Sequence, residues 1–437
     1  MNFRDRIPWS EREAKRAERN AALACSCAAM GEVSFTDAAI IIIYANMLGA
    51  SDAVSMITTS FLSLFTGLFV IPASRIVLKG SSYQRTIMIS TFFGMMMFML
   101  VVLAPLFGSF ALPVLLTALG FFALSNTVYI ASWFPMLDTF VTAKRRSTYL
   151  ARMRFSWQLA SAVLLMGISA FIGQNPSMQT LQAVMLLGAL IFFGKMFFIS
   201  KIPQFDVADK ADAFSTGLKK ALANKPLAGY SVYLFALNLA AYGTIPLATL
   251  YLKKALFVPD NVIVLISSIV LIGMLAGSFC AGNIISRWGI RRILLLVHIS
   301  YALVNTALFL SGRSLLAGNA LYFLIAGLLF IYSFTFACAN IASSSEMMAL
   351  ASRGNKVMAM AFCNSFYQAG SGLSRVMTSL ILASGALASH WSIGDWQFTH
   401  YQTLFLIYAV CIVFAASLLI IVPAVFPKGE YIYAVHN

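Results

Sequence analysis

Charge is scarce in this chain. Only 10% of its 437 residues are Asp, Glu, Lys or Arg, where soluble proteins carry about 25%. Acids are scarcest, with 15 Asp and Glu against 30 Lys and Arg and a net charge of +15. Catalytic signatures are missing too. There is no G-x-S-x-G, no P-loop and no H-E-x-x-H, so no catalytic arrangement emerges and no cofactor is expected. The six cysteines, Cys25, Cys27, Cys280, Cys338, Cys363 and Cys411, lie in apolar runs without metal-type spacing. They read as small hydrophobes, and no metal is expected. No cleavable leader is evident, because residues 1–20 are polar and no short apolar core ends in an A-x-A-like site.

What the chain has instead is apolar length. Hydrophobic residues make up 60% of it, and its mean hydropathy is +0.85. Twelve runs reach the ~20 residues a bilayer demands. They fall at 21–48, 53–78, 85–107, 111–137, 148–173, 177–200, 227–252, 260–285, 291–312, 315–345, 357–386 and 402–426. Most of the chain must lie in the lipid bilayer. The positive charge does not signal nucleic acid, because the basic residues sit in short loops between the runs. They divide 23 to 3 between alternate loops, which puts both termini in the cytoplasm. Ser10 and Glu13 form a capping box for a short surface helix through Arg19. The longest loop, 202–226, divides the chain six and six. Phe214, Leu218 and Leu222 at helical spacing predict an amphipathic helix there, on the membrane surface. The expected segments are a cytoplasmic segment 1–20, a bundle 21–200, a linker 201–226, a second bundle 227–426 and a tail 427–437.

The two halves repeat. Asp138 and Arg145 recur as Glu346 and Arg353 at an offset of 208 residues, and Asp52 recurs as Asp260 at the same offset. Trp157-Gln158 recurs as Tyr367-Gln368, and Arg75 as Arg287, at nearly that offset. Four matches in register on a repeating hydropathy pattern imply an internal duplication. Parallel six-span halves with a site between them form a transporter architecture.

Between spans 8 and 9 the chain reads Gly282-Asn-Ile-Ile-Ser286-Arg287-Trp-Gly289-Ile-Arg291-Arg292. This resembles the Gly-x-x-x-Asp-Arg-x-Gly-x-Arg/Lys-Arg/Lys loop of the major facilitator superfamily. It departs at Ser286, where the family has Asp. The matching loop of the first half keeps Arg75 and Lys79 but loses the glycine. The resemblance implies an all-α fold of twelve transmembrane helices in two pseudo-symmetric six-helix bundles, a bacterial inner-membrane transporter and not an enzyme. It also implies a cytoplasmic gate made by Arg75, Asp138, Arg145, Gly282, Arg287, Gly289, Arg291, Glu346 and Arg353. The glycines would permit a tight turn and close helix approach. The protein is read as a monomer whose partners are a small-molecule substrate, protons and lipid.

In such a fold spans 1, 4, 7 and 10 line the cavity, flanked by 2, 5, 8 and 11. The substrate-binding candidates are Asn126, Tyr129 and Gln158 in the first half. In the second they are Asn238, Tyr242, Tyr332, Asn340, Asn364, Tyr367, Gln368 and Arg375. Amides and tyrosines orient polar ligands, though helix–helix hydrogen bonding is the competing role for each. Carboxylates at membrane depth are costly and mark function. Glu32 lies roughly 16 Å and Asp37 roughly 24 Å from the cytoplasmic end, about 140° apart around the helix. One of them is the expected proton-coupling acid, with a structural ion pair as the alternative. Arg375 either binds an anionic substrate group or neutralises Asp37. Arg152, Arg154 and Lys195 are expected to snorkel to the interface, and His298 is peripheral. The reading is a secondary transporter for a small polar solute, anionic groups included, coupled to protons. A proton-driven multidrug efflux pump is the alternative within transport. A non-transporting receptor or scaffold is the alternative outside it.

Overall fold

The computed structural model describes residues 11–36, 38–79, 82–141, 143–203, 214–312, 315–316, 318–350 and 356–421. The first span is α1 (Glu11–Thr36) followed by α2 (Ala38–Met47). No separate surface helix precedes it among the described residues. The amphipathic stretch through Arg19 is continuous with the span, because nothing between Glu11 and Thr36 breaks the helix. The second span is broken into α3 (Asp52–Thr58) and α4 (Phe61–Lys79), bent by 45°. Thr58, Thr59 and Ser60 each return a hydroxyl to the carbonyl three residues back, at 2.6–2.7 Å. Such back-bonding competes with the helix ladder and bends it.

Next come α5 (Tyr83–Leu103) and α6 (Ala111–Phe140), joined by a 3-10 stretch in which Gly108 reverses the chain at φ 56°. Then follow α7 (Ala143–Ile172) and α8 (Met178–Ser200). The linker helix α9 (Phe214–Ala223) forms where its apolar spacing predicts. It docks on the bundle instead of lying free, with Phe214 and Leu218 packed against the core. The second half holds α10 (Lys225–Ala241), α11 (Thr244–Leu250), α12 (Asp260–Trp288), α13 (Ile290–Leu310), α14 (Asn319–Leu350), α15 (Lys356–Ser384) and α16 (His400–Ile421). A short hairpin, β1 (His390–Ile393) and β2 (Trp396–Thr399), precedes α16. Its Trp391 and Phe398 stack on Phe309 of α13.

Nine described stretches are long and apolar enough to cross a membrane, or ten counting the bent pair. One of them, Tyr83–Trp133, covers both α5 and α6. The helix α15 falls outside that set, because Asn364, Tyr367, Gln368, Ser371, Ser374, Arg375 and Thr378 form a polar stripe along one face. With these accounted for, the element order is consistent with twelve passes.

The ends of α1, α8 and α10 that lie nearest the chain termini and linker define a proximal side. The side of Asp52, Asp260 and the hairpin is distal. Within the halves α1 packs on α8, α4 and α5 on α6, α12 on α14, α10 on α15 and α13 on α16. Between the halves α4 meets α15 and α7 meets α12, the two crossings that the sequence repeat relates. The first crossing is glycine-lined. A Cβ at Gly67 would stand 2.4 Å from the Ala369 nitrogen, and one at Gly372 would stand 2.6 Å from the Leu64 backbone. Only glycine allows backbones this close.

Candidate functional site

The distal side is sealed between the halves. Lys254 pairs with Asp52 at 3.3 Å, and the Tyr401 hydroxyl donates to the same carboxylate. Ser379 donates to the Ala53 carbonyl and Ser169 to the Asn261 carbonyl, both at 2.7 Å. Arg375 donates to the Thr59 carbonyl, which the bend in span 2 leaves open. Nearer mid-depth, Ser365 reaches across to the Gly67 carbonyl. The repeated aspartates share a fate: Asp52 meets Lys254, and Asp260 meets the adjacent Lys253.

Five second-half candidates converge. Asn238, Tyr242, Tyr332, Asn340 and Tyr367 line one cavity with Tyr301, Phe336 and Ser343. Span 7 breaks there, between α10 and α11. A Cβ at Gly243 would fall 1.9 Å from the Tyr408 hydroxyl, so the backbone passes where no side chain fits. The break frees the Ala241 carbonyl, which accepts from the Tyr332 hydroxyl at 2.5 Å and from Thr244 at 2.9 Å. Tyr242 stands edge-on to Phe336 and Tyr367 at 5.4 and 6.2 Å, and Tyr301 stacks on Tyr332 at 4.6 Å. The Arg375 guanidinium lies over the Tyr242 ring at 5.0 Å, and its buried Nε has no hydrogen-bond partner. The cavity volume of about 20 Å³ admits one water, so a solute must widen it. Asn364 and Gln368 share the stripe of α15 but do not line this cavity.

In the first half the geometry overturns one expectation. Lys195 does not snorkel. It is 1% exposed, with Nζ 3.7 Å from Glu32 Oε1 and 3.4 Å from the centre of the Tyr129 ring. Its four-carbon stem reaches inward from α8, where a carboxylate and an aromatic face both receive the ammonium. Tyr129 in turn packs on Trp133 at 5.2 Å. Arg154 is half-buried, in electrostatic range of Cys25 and Tyr367, while Arg152 is exposed. Asn126 and Gln158 are buried, and Asn126 Oδ1 and Gln158 Oε1 lack a hydrogen-bond donor. Asp37 lies outside the described residues.

At the proximal side Arg75, Arg287 and Arg291 are exposed, and Glu346 is buried. No ion pair joins Arg75 or Arg287 to an acid among the described residues. The side chains of Asp138 and Arg145, and all of Arg353, lie outside the described residues. Gly289 makes the expected tight turn at φ 76°. Gly282 does not mediate close helix approach, because a Cβ there would meet nothing within 4 Å.

Residues 22–375 match a family model described as Major Facilitator Superfamily. No curated protein matches the sequence. The fold is similar to that of a mutant of the nucleoside transporter NupG, with a TM-score of 0.70 at 14% identity, covering 93% of this chain and 99% of that one. A POT family transporter complexed with a thioalcohol-conjugated peptide gives 0.69 at 12% identity, over 94% and 97%. A D-xylose-proton symporter gives 0.65 at 11% identity, over 94% and 97%. At these identities the likeness concerns the fold alone.

Proposed function

The chain belongs to the Major Facilitator Superfamily, and on that premise we propose a secondary transporter that moves a small polar solute, anionic groups included, by alternating access coupled to protons. The observation that carries the coupling is the Glu32–Lys195 pair, in which Lys195 is buried and Glu32 half-buried. When Glu32 takes a proton, the ammonium loses its counter-charge but keeps the Tyr129 ring beneath it. The acid therefore has two tolerated states at membrane depth, which a coupling group requires. Asp37 is the second candidate on the same span.

The solute site combines Asn126, Tyr129 and Gln158 with Asn238, Tyr242, Tyr332, Asn340, Asn364, Tyr367, Gln368 and Arg375. The unmet acceptors of Asn126 and Gln158 suit a solute with donors, and the tyrosines and Arg375 suit a ring or an anion. The basic bias favours a cytoplasmic proximal side in a bacterial inner membrane. In that orientation the distal seal closes the outer side. Arg75, Asp138, Arg145, Arg287, Glu346 and Arg353 would close the proximal side in the opposite state. The rocking units are 21–200 and 227–426, linked by 201–226, and the protein acts as a monomer.

Proteoliposomes with an imposed pH gradient test this with labelled organic acids, sugars and drugs. Gradient-driven accumulation of a polar solute is expected. Glu32→Gln should abolish accumulation but keep solute counterflow. Unchanged accumulation and pH dependence in Glu32→Gln would remove Glu32 from coupling. Movement of lipophilic drugs alone would replace this reading with multidrug efflux.

A further inference from the structure

We propose that the open face between α7 and α8 is a binding site for an anionic glycerophospholipid, with an acyl chain in the groove and the phosphate at Arg152 and Arg19. Both helices pack on α1 but scarcely touch each other. The gap between them is a groove of about 930 Å³, lined by Leu159, Val163 and Phe171 of α7, Leu187 of α8 and Met30 of α1. Gly167 also lines it, and a Cβ there would meet nothing within 4 Å. The hydroxyl lining it, that of Ser156, is already bonded to the Arg152 carbonyl at 2.9 Å. From Phe155 to Phe171 the groove runs ~24 Å along the helix, longer than half of a ~30 Å hydrocarbon core. One acyl chain fits that length. Water does not suit such a lining, and lipid is the solvent beside it.

Charge selects the lipid class. Arg152 is exposed one turn proximal to Phe155 and Ser156, on the same face of α7. Arg19 is exposed on α1, three turns proximal to Met30 and on its face. The Tyr149 hydroxyl donates to the Glu18 carbonyl at 3.1 Å, which holds the two helices at one level there. Both guanidiniums thus flank the proximal mouth, and neither is ion-paired among the described residues. Glu18, the adjacent acid on α1, is buried. Guanidiniums bind phosphate through paired N–H donors, and a net-negative headgroup gains more from both than a zwitterionic one, whose own cation offsets the attraction.

Native mass spectrometry of the full chain in neutral detergent tests the proposal. Phosphatidylglycerol and phosphatidylcholine with the same chains are offered in equal amounts, and thermal unfolding is followed with each. Wild type should retain phosphatidylglycerol preferentially and unfold at higher temperature with it. Arg152→Gln should cut that preference about fivefold, with Arg19→Gln as the second charge variant. Gly167→Leu fills the groove without a backbone clash and should remove both lipids from it. Equal retention of the two lipids by wild type would overturn the headgroup assignment. Unchanged retention in folded Gly167→Leu would overturn the groove assignment. Displacement of the lipid by a transported solute would make the groove part of the transport path and overturn the proposal as well.

Discussion

Lys195 is a residue that sequence reasoning placed wrongly, and the error is physical. Distance from a helix end says that a lysine can snorkel, not that it will. The deciding factor is whether the interior offers a better partner, and Glu32 with Tyr129 does. Neither partner is near it in sequence, so no local pattern could reveal the pair. Tyr301, Phe336 and Ser343 escaped notice similarly, because their types are ordinary core residues until the fold brings them around one cavity. Asn238, Tyr242, Tyr332, Asn340 and Tyr367 were legible, since polar groups in mid-span are conspicuous against lipid-facing neighbours. A buried ion pair broken on one side costs about 3–5 kcal/mol, while replacing both charges costs far less. Lys195→Met, which leaves the Glu32 carboxylate unpaired, should therefore lower thermal stability, whereas Glu32→Gln, which mimics the protonated acid and leaves the ammonium on the Tyr129 ring, should cost less, and the double variant should recover most of the Lys195→Met loss. Additive effects in that cycle would mean the two side chains do not act as a pair.

Among the elements, the apolar helices after the first were read to within about five residues, but α1 begins ten residues before the expected run and the breaks were not foreseen. Neither the Thr58-Thr59-Ser60 bend nor the break at Tyr242-Gly243 contains a proline. The bend arises from hydroxyl back-bonding, which periodicity does not register, and the break lies four residues before Pro246, which has no N–H for the Tyr242 carbonyl and whose ring crowds it. The α4–α15 crossing is likewise invisible as a pair, although each glycine is visible alone. Its tightness yields a measurable expectation. Cysteines at Ala53 and Ser379 should cross-link, since the Ser379 hydroxyl sits 2.7 Å from the Ala53 carbonyl. Adding Gly372→Leu should lower that yield severalfold, because its Cβ would collide with the Leu64 backbone. An unchanged yield would show that the crossing is looser than its geometry.

For the whole molecule, the repeat carried most of the architecture. Registered matches at about 208 residues implied two related halves, and the halves do meet through related helices. Sidedness rests on the basic bias alone, and it can be measured. A cysteine replacing the exposed Lys254 should react with an impermeant maleimide in intact cells. One replacing the exposed Arg291 should react only after permeabilisation. Labelling of position 291 from outside would invert the orientation and, with it, the reading of the distal seal as the outer one. The Lys254–Asp52 bridge is itself partly exposed and worth about 0–1 kcal/mol. That suits a contact that the proposed alternating access would break repeatedly.

The polar stripe of α15 has a consequence for how the chain is made. A helix carrying Asn364, Gln368 and Arg375 is a poor candidate for entering lipid by itself, since an arginine at helix centre costs about 2.5–3.5 kcal/mol on insertion. Its polar face is satisfied by earlier segments: the Thr59 carbonyl receives Arg375, the Gly67 carbonyl receives Ser365, and the Gly243 amide donates to Ser374. All three are synthesised before it. Assembly in the membrane is thus ordered by the chain itself, with spans 2 and 7 acting as the template on which this late helix leaves the translocon.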